Sequence, residues 1–148
     1  MPAITLLPTP ERPYRALVAD LEALGWQWAG EPQRLPLVRG EPEWVDWIHP
    51  AGGRLRYSFN PAIRLRELEV DAPEPLLAPL RRLPLLGPAD LAGLLAAADP
   101  EAILRGLYAV RALGEDALRG AVEALRAHPD ALVRETTEAV LGALAPSY

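Results

Sequence analysis

The sequence predicts an α+β protein: a small antiparallel sheet with one helix, followed by a short α-helical bundle. Three observations carry this. Arg54–Phe59 alternates, with Leu55, Tyr57 and Phe59 on one side and Arg54, Arg56 and Ser58 on the other, which is the period of a half-buried strand. Tyr14, Leu17, Val18, Leu21 and Leu24 recur at helical spacing and form one apolar stripe. From Pro88 onward the apolar pattern is helical throughout, and its connections are so short that neighbouring helices must be antiparallel.

Ala3–Leu7 is an apolar run short enough for a strand. Thr9-Pro10 reads as a helix start, because Pro fits the first helical position, and Pro13 offers a second one. Gly25 stands where a C-terminal cap belongs. Leu35–Val38 is a candidate strand that Pro36 confines to an edge. Trp44–His49 is another, and Pro50-Ala51-Gly52-Gly53 is the turn leading into Arg54–Phe59. Ile63–Val70 resumes the sheet, but its apolar parity switches between Leu65 and Leu68, as a bulge or edge bend would make it. The expected result is a meander of three or four strands with the first helix on one face.

Five prolines (Pro73, Pro75, Pro79, Pro84 and Pro88) interrupt the next segment, so short turns are expected there, not one long helix. Four helices follow: Pro88–Ala97, one capped by Asp99-Pro100 and running to Gly114, Glu115–Ala127, and one opened by His128-Pro129 and running to about Leu144. The expected organisation is an α+β module over 1–75 and a helical bundle over 76–148, the two sharing one core.

Composition narrows the function. Half of the 148 residues are hydrophobic and 24% are charged, the balance of a folded globule. There is no cysteine, which removes disulfides, thiolate metal sites and cysteine nucleophiles. All basic residues are Arg, the signature of a GC-rich genome, and the many loop prolines also suit a thermophile. Net charge is −5, and neither half is basic, so the electrostatic footprint of a nucleic-acid binder is missing. No run is apolar enough to span a membrane, and no basic segment precedes an apolar one at the N-terminus. A cytoplasmic location is the expectation.

Two helices resemble each other. Asp99-Pro100-Glu101-Ala102-Ile103-Leu104-Arg105 aligns with His128-Pro129-Asp130-Ala131-Leu132-Val133-Arg134, and Leu113-Gly114 with Leu141-Gly142. The second copy resembles a HEAT-like repeat of the phycobilin-lyase type, in which a Val-Arg pair opens a helix that ends in Ala-Leu-Gly. Thr136, Thr137 and Glu138 depart from that pattern, where the family favours small residues. The resemblance implies stacked helical hairpins, and it implies that Arg105 and Arg134 bond carbonyls or acids of a neighbouring repeat. A solenoid needs about three repeats; this chain has two, so the open end needs a cover.

No Gly-rich phosphate loop, Gly-x-Ser-x-Gly elbow or other catalytic motif occurs, and no cofactor is called for. His49 reads as a surface residue and His128 as a helix cap, and their spacing does not make a metal site. Glu41, Glu43 and Asp46 read as a solvated edge, and Glu67 and Glu69 as cross-strand partners of Arg54 and Arg56. Trp26, Trp28, Trp44 and Trp47 cluster within the first half. Trp44 and Trp47 have opposite parity, so one faces the core and the other faces outward. Exposed Trp beside Arg is the makeup of an interaction hot spot, which makes Trp44, Trp47, Arg54, Arg56 and Tyr57 the candidate partner-binding residues. The leading expectation is a non-enzymatic adaptor or inhibitor, of the immunity- or antitoxin-like kind, that binds another protein. The alternatives are a ligand binder or enzyme of the HEAT-like lyase type, using Trp44, Tyr57 and Glu43, and a structural homodimer.

Overall fold

A computed structural model of the chain describes residues 4–29, 44–60 and 62–144. Among them lie a five-stranded antiparallel sheet and six α-helices, an α+β architecture. The chain divides into two compact units, Met1–Leu85 and Leu86–Tyr148.

The first unit holds β1 (Ile4–Leu6), α1 (Tyr14–Ala23), β2 (Gln27–Trp28), β3 (Trp44–His49), β4 (Gly53–Asn60), β5 (Leu65–Asp71) and α2 (Glu74–Leu80). Strand order is β1-β5-β4-β3-β2. β2 to β5 form a meander, and β1 closes the far edge against β5, so α1 joins the two opposite edges of the sheet. The expected Leu35–Val38 strand lies outside the described residues.

Each element has a local cause. α1 starts at Tyr14, with Pro13 rather than Thr9 preceding it; Arg12 closes a turn on the Thr9 carbonyl instead. The helix ends in a Schellman motif at Gly25, whose φ is +93°. The Gly25 amide donates to Glu22 O and the Trp26 amide to Leu21 O, both at 3.0 Å, which satisfies carbonyls the helix leaves open. That turn also brings Trp26 beside Leu21 in the core. The β3–β4 turn uses Gly52 at φ +99°, where a side chain would be strained.

One sheet face is apolar. Val45, Trp47, Leu55, Tyr57, Leu68 and Val70 pack there with Leu17 and Leu21 of α1 and Leu77 and Leu80 of α2. α2 therefore belongs to the first unit, beyond the expected boundary at residue 75. It tolerates Pro79 in its last turn because the ring costs one backbone hydrogen bond while two buried leucines anchor the helix. The expected bulge in β5 is absent: pairing with β4 runs unbroken from Arg54↔Asp71 to Asn60↔Leu65. The parity switch has another cause. Arg66 takes a core-side position at the end of the strand and donates to the carbonyls of Pro10 at 3.1 Å and Arg12 at 2.8 Å. Its guanidinium also lies 5.4 Å from the Phe59 ring centroid. Arg12 in turn holds Asp20 of α1 in a two-pronged ion pair at 2.7 and 2.9 Å. β5, the 8–13 segment and α1 are thus tied by one polar chain.

The second unit contains α3 (Pro88–Leu95), α4 (Pro100–Leu113), α5 (Arg119–Glu123) and α6 (Ala131–Ala143). Asp99 caps α4 by accepting from the Glu101 amide at 3.1 Å, and Gly114, at φ +64°, closes a second Schellman motif. α4 packs on both α3 and α6. A Cβ on Gly106 would lie 2.9 Å from Leu94 Cβ, so glycine is what lets α3 and α4 approach. The expected helix over Glu115–Ala127 is broken into α5 flanked by 3-10 turns at Asp116–Leu118 and Ala124–Ala127. Of that stretch only Val122 and Leu125 are buried, and Gly120 sits inside it, so packing does little to enforce a regular helix. α6 is capped by Asp130, whose carboxylate accepts from the Val133 amide at 3.1 Å. His128, the expected cap, instead accepts from the Asp130 amide through Nδ1. Thr137 sits in the interior because its hydroxyl donates to Val133 O at 2.7 Å, a local bond that satisfies a buried polar group. Among the described residues no helix is long and apolar enough to cross a membrane.

Candidate functional site

Among the described residues the sheet face opposite the core is left open, and strand register dictates what it shows. Asp46, Arg56, Glu69 and Thr5 form one transverse row, since Asp46 pairs with Arg56, Arg56 with Glu69 and Glu69 with Thr5. Gln27, Ile48, Arg54 and Asp71 form the next, and Trp44, Ser58 and Glu67 a third. Read along the strands, β3 contributes Trp44, Asp46 and Ile48, β4 contributes Ser58, Arg56 and Arg54, and β5 contributes Glu67, Glu69 and Asp71. A depression of about 380 Å³ lies between them, bordered by Ala29, Asp46, Ile48, Arg54, Arg56 and Asp71.

Trp44 is 53% exposed and Ile48 is 44% exposed, two of the four large hydrophobics left in solvent among the described residues. Arg56 is held from two sides. It donates to Asp46 at 2.8 and 3.2 Å, and its guanidinium lies 4.9 Å from the Trp44 ring centroid. The bond to Asp46 raises the Arg56 pKa, with smaller help from the charges of Asp46 and Glu69. Of the expected pairing of Arg54 and Arg56 with Glu67 and Glu69, register sets Arg56 beside Glu69, but its guanidinium bonds Asp46 of β3; Arg54 stands beside Asp71 and Glu67 beside Ser58.

Burial, and to a lesser degree the charge of Glu69, push the Glu67 pKa up. The native state then holds the Glu67 proton more tightly than the unfolded chain. The contribution of Glu67 to stability is therefore greatest below the ordinary Glu value and declines as pH rises toward the raised native value. Glu67→Gln is expected to raise Tm at neutral pH and to leave it close to wild type near pH 3, where the carboxyl is protonated in both states. A thermal melt at the two pH values checks this; an equal shift at both would contradict it.

The candidate partner-binding residues divide cleanly. Trp44, Arg54 and Arg56 meet on the open face. Trp47 and Tyr57 point the other way, at 1% and 0% exposure, and serve as packing: Trp47 meets Trp28 edge-to-face at 5.7 Å, and Tyr57 lies 5.2 Å from Tyr14. Ile48, missed in the sequence, completes the apolar part of the face; its alternation with Trp47 was the signal. His49 is structural: its Nδ1 accepts from the Ala51 amide and its Nε2 donates to Leu24 O, both at 3.0 Å, while its ring abuts Trp26. In α6, Arg134 donates to the carbonyls of His128 and Pro129 at 2.7 and 2.9 Å, bracing the turn before its own helix. Arg105 is half-buried on α4. Glu41 and Glu43 lie outside the described residues. Among the described residues no group of three or more acids and histidines is placed to hold a metal ion.

Comparison of the chain with protein-family models, with curated proteins and with solved structures gives no significant match.

Proposed function

We propose that the protein is a non-enzymatic interaction module, an adaptor or inhibitor that engages another protein through the open face of its sheet. One observation carries this reading: Trp44 and Ile48 stand exposed on a face otherwise built of polar and charged side chains in register. An aromatic anchor beside a pre-oriented Arg is the composition of a binding hot spot. Arg56 loses little freedom on binding, because Asp46 and Trp44 already fix it. The HEAT-like resemblance of α4 and α6 fits the same role, since helical repeats work mainly as interaction scaffolds.

The test is affinity capture from native lysate with the full chain as bait. The expected result is a stoichiometric protein partner whose recovery falls at least tenfold, on the order of 1.4 kcal/mol, with Trp44→Ala/Ile48→Ser. Tyr108→Ala/Leu132→Ser, which removes the exposed hydrophobics of the second unit, should leave recovery unchanged. Repeated failure to recover a stoichiometric partner would overturn the reading.

A further inference from the structure

We infer that the occupant of the open face is a basic amphipathic helix of a partner protein, with Arg or Lys set against Glu67, Glu69 and Asp71 and an apolar stripe set against Trp44 and Ile48. This rests on the proposed interaction role and specifies the partner's chemistry.

Charge decides the sign of the partner. The face carries two Arg against four carboxylates, a net of −2. Arg56 is already committed to Asp46. Among the described residues Glu67, Glu69 and Asp71 make no ion pair, and they lie along one strand at every second position. What the face offers outward is therefore mostly unbalanced negative charge. A second copy would bring the same −2 to the same place, on a chain of net −5, and nucleic acid would be repelled by the same excess.

Geometry decides the form. The inner strands of this face have their backbone groups paired on both sides, so an added strand has no partner there, whereas helices pack on sheet faces as α1 does on the other side. The apolar β3 and acidic β5 are two strand spacings apart, roughly 9.6 Å, about the width of one helix. Carboxylates two residues apart on β5 are separated by roughly 6.8 Å, close to the roughly 6 Å rise between helix positions i and i+4.

The experiment uses the full chain and three fluorescein-labelled helical peptides that share one Leu stripe and carry Arg, Gln or Glu at the flanking positions, read by fluorescence anisotropy. The Arg peptide should bind at least tenfold more tightly than the Gln peptide and weaken as salt is added, and the Glu peptide should not bind. Glu67→Gln/Glu69→Gln/Asp71→Asn should bring the Arg peptide to the Gln level with an unchanged circular dichroism spectrum. Glu101→Gln/Glu123→Gln/Glu135→Gln, an equal charge change in the second unit, should leave its affinity alone. Trp44→Ala should weaken the Arg and Gln peptides alike, about fivefold. Equal affinity for the Arg and Gln peptides, or no response to the β5 variant, overturns the basic partner and leaves the interaction role standing. No binding of any peptide overturns the helical occupant. Indifference to Trp44→Ala counts against the proposed role itself. A salt-sensitive dimer in sedimentation that the Arg peptide fails to dissolve assigns the face to a second copy and overturns the inference.

Discussion

Replacing Trp47 with Ala is expected to cost the first unit about 3–5 kcal/mol, the range for emptying a large aromatic site in a packed core. Trp47 is 1% exposed and sits among Val45, Leu55 and Trp28 on the sheet's packed face. A small domain has a total stability on the order of 5–10 kcal/mol, so this one change removes much of it. Trp47→Phe separates volume from polarity. The Trp47 indole N–H finds no acceptor among the described residues, so losing it removes an unpaired buried donor and offsets part of the lost volume. Trp47→Phe should therefore cost less than half as much as Trp47→Ala in urea unfolding followed by far-UV circular dichroism. Equal costs would show that the N–H is paired in solution.

Arg66→Met should cost about 3 kcal/mol, although Met fills the stem's volume. Arg66 is 8% exposed, and its guanidinium serves the Pro10 and Arg12 carbonyls. Removing a charged donor leaves both part-buried acceptors short of a partner, at up to about 1–3 kcal/mol each. Because Arg12 also grips Asp20, the loss should loosen the start of α1 as well as the end of β5. Hydrogen exchange should show faster opening of Ala16 and Leu17 amides, which donate to the Pro13 carbonyl, than of the Val45 or Tyr57 amides. A loss below about 1 kcal/mol would mean that water replaces the guanidinium freely.

How far the sequence predicts this fold follows from which forces are local. The α1 stripe, the alternation of β4, the Asp99-Pro100 cap and the glycines at positions 25 and 114 are all set by neighbours within one or two turns, and each stands where its pattern places it. β2 is only two residues long, too short for any period, and it exists because β3 lies beside it. α2 carries the residues that ought to break a helix, and Leu77 and Leu80 hold it by packing. Arg66 breaks the apolar parity of β5 because its partners are more than 50 positions away. At the site, parity alone separates Trp44 from Trp47. Arg54 and Arg56 are placed on the open face by the same alternation. The preference of Arg56 for Asp46 over Glu69 depends on side-chain geometry across three strands, which no linear pattern encodes.

All four tryptophans, at positions 26, 28, 44 and 47, fall in the first unit. The molecule therefore carries a built-in optical division. Emission excited at 295 nm reports on the sheet unit alone, while far-UV ellipticity is weighted toward the helices, most of whose residues lie in the second unit. With no cysteine to complicate unfolding by thiol exchange, the two signals can be followed in a single sample. Coincident melting curves would mean that the units unfold as one cooperative block, and separated curves would give the free energy of each.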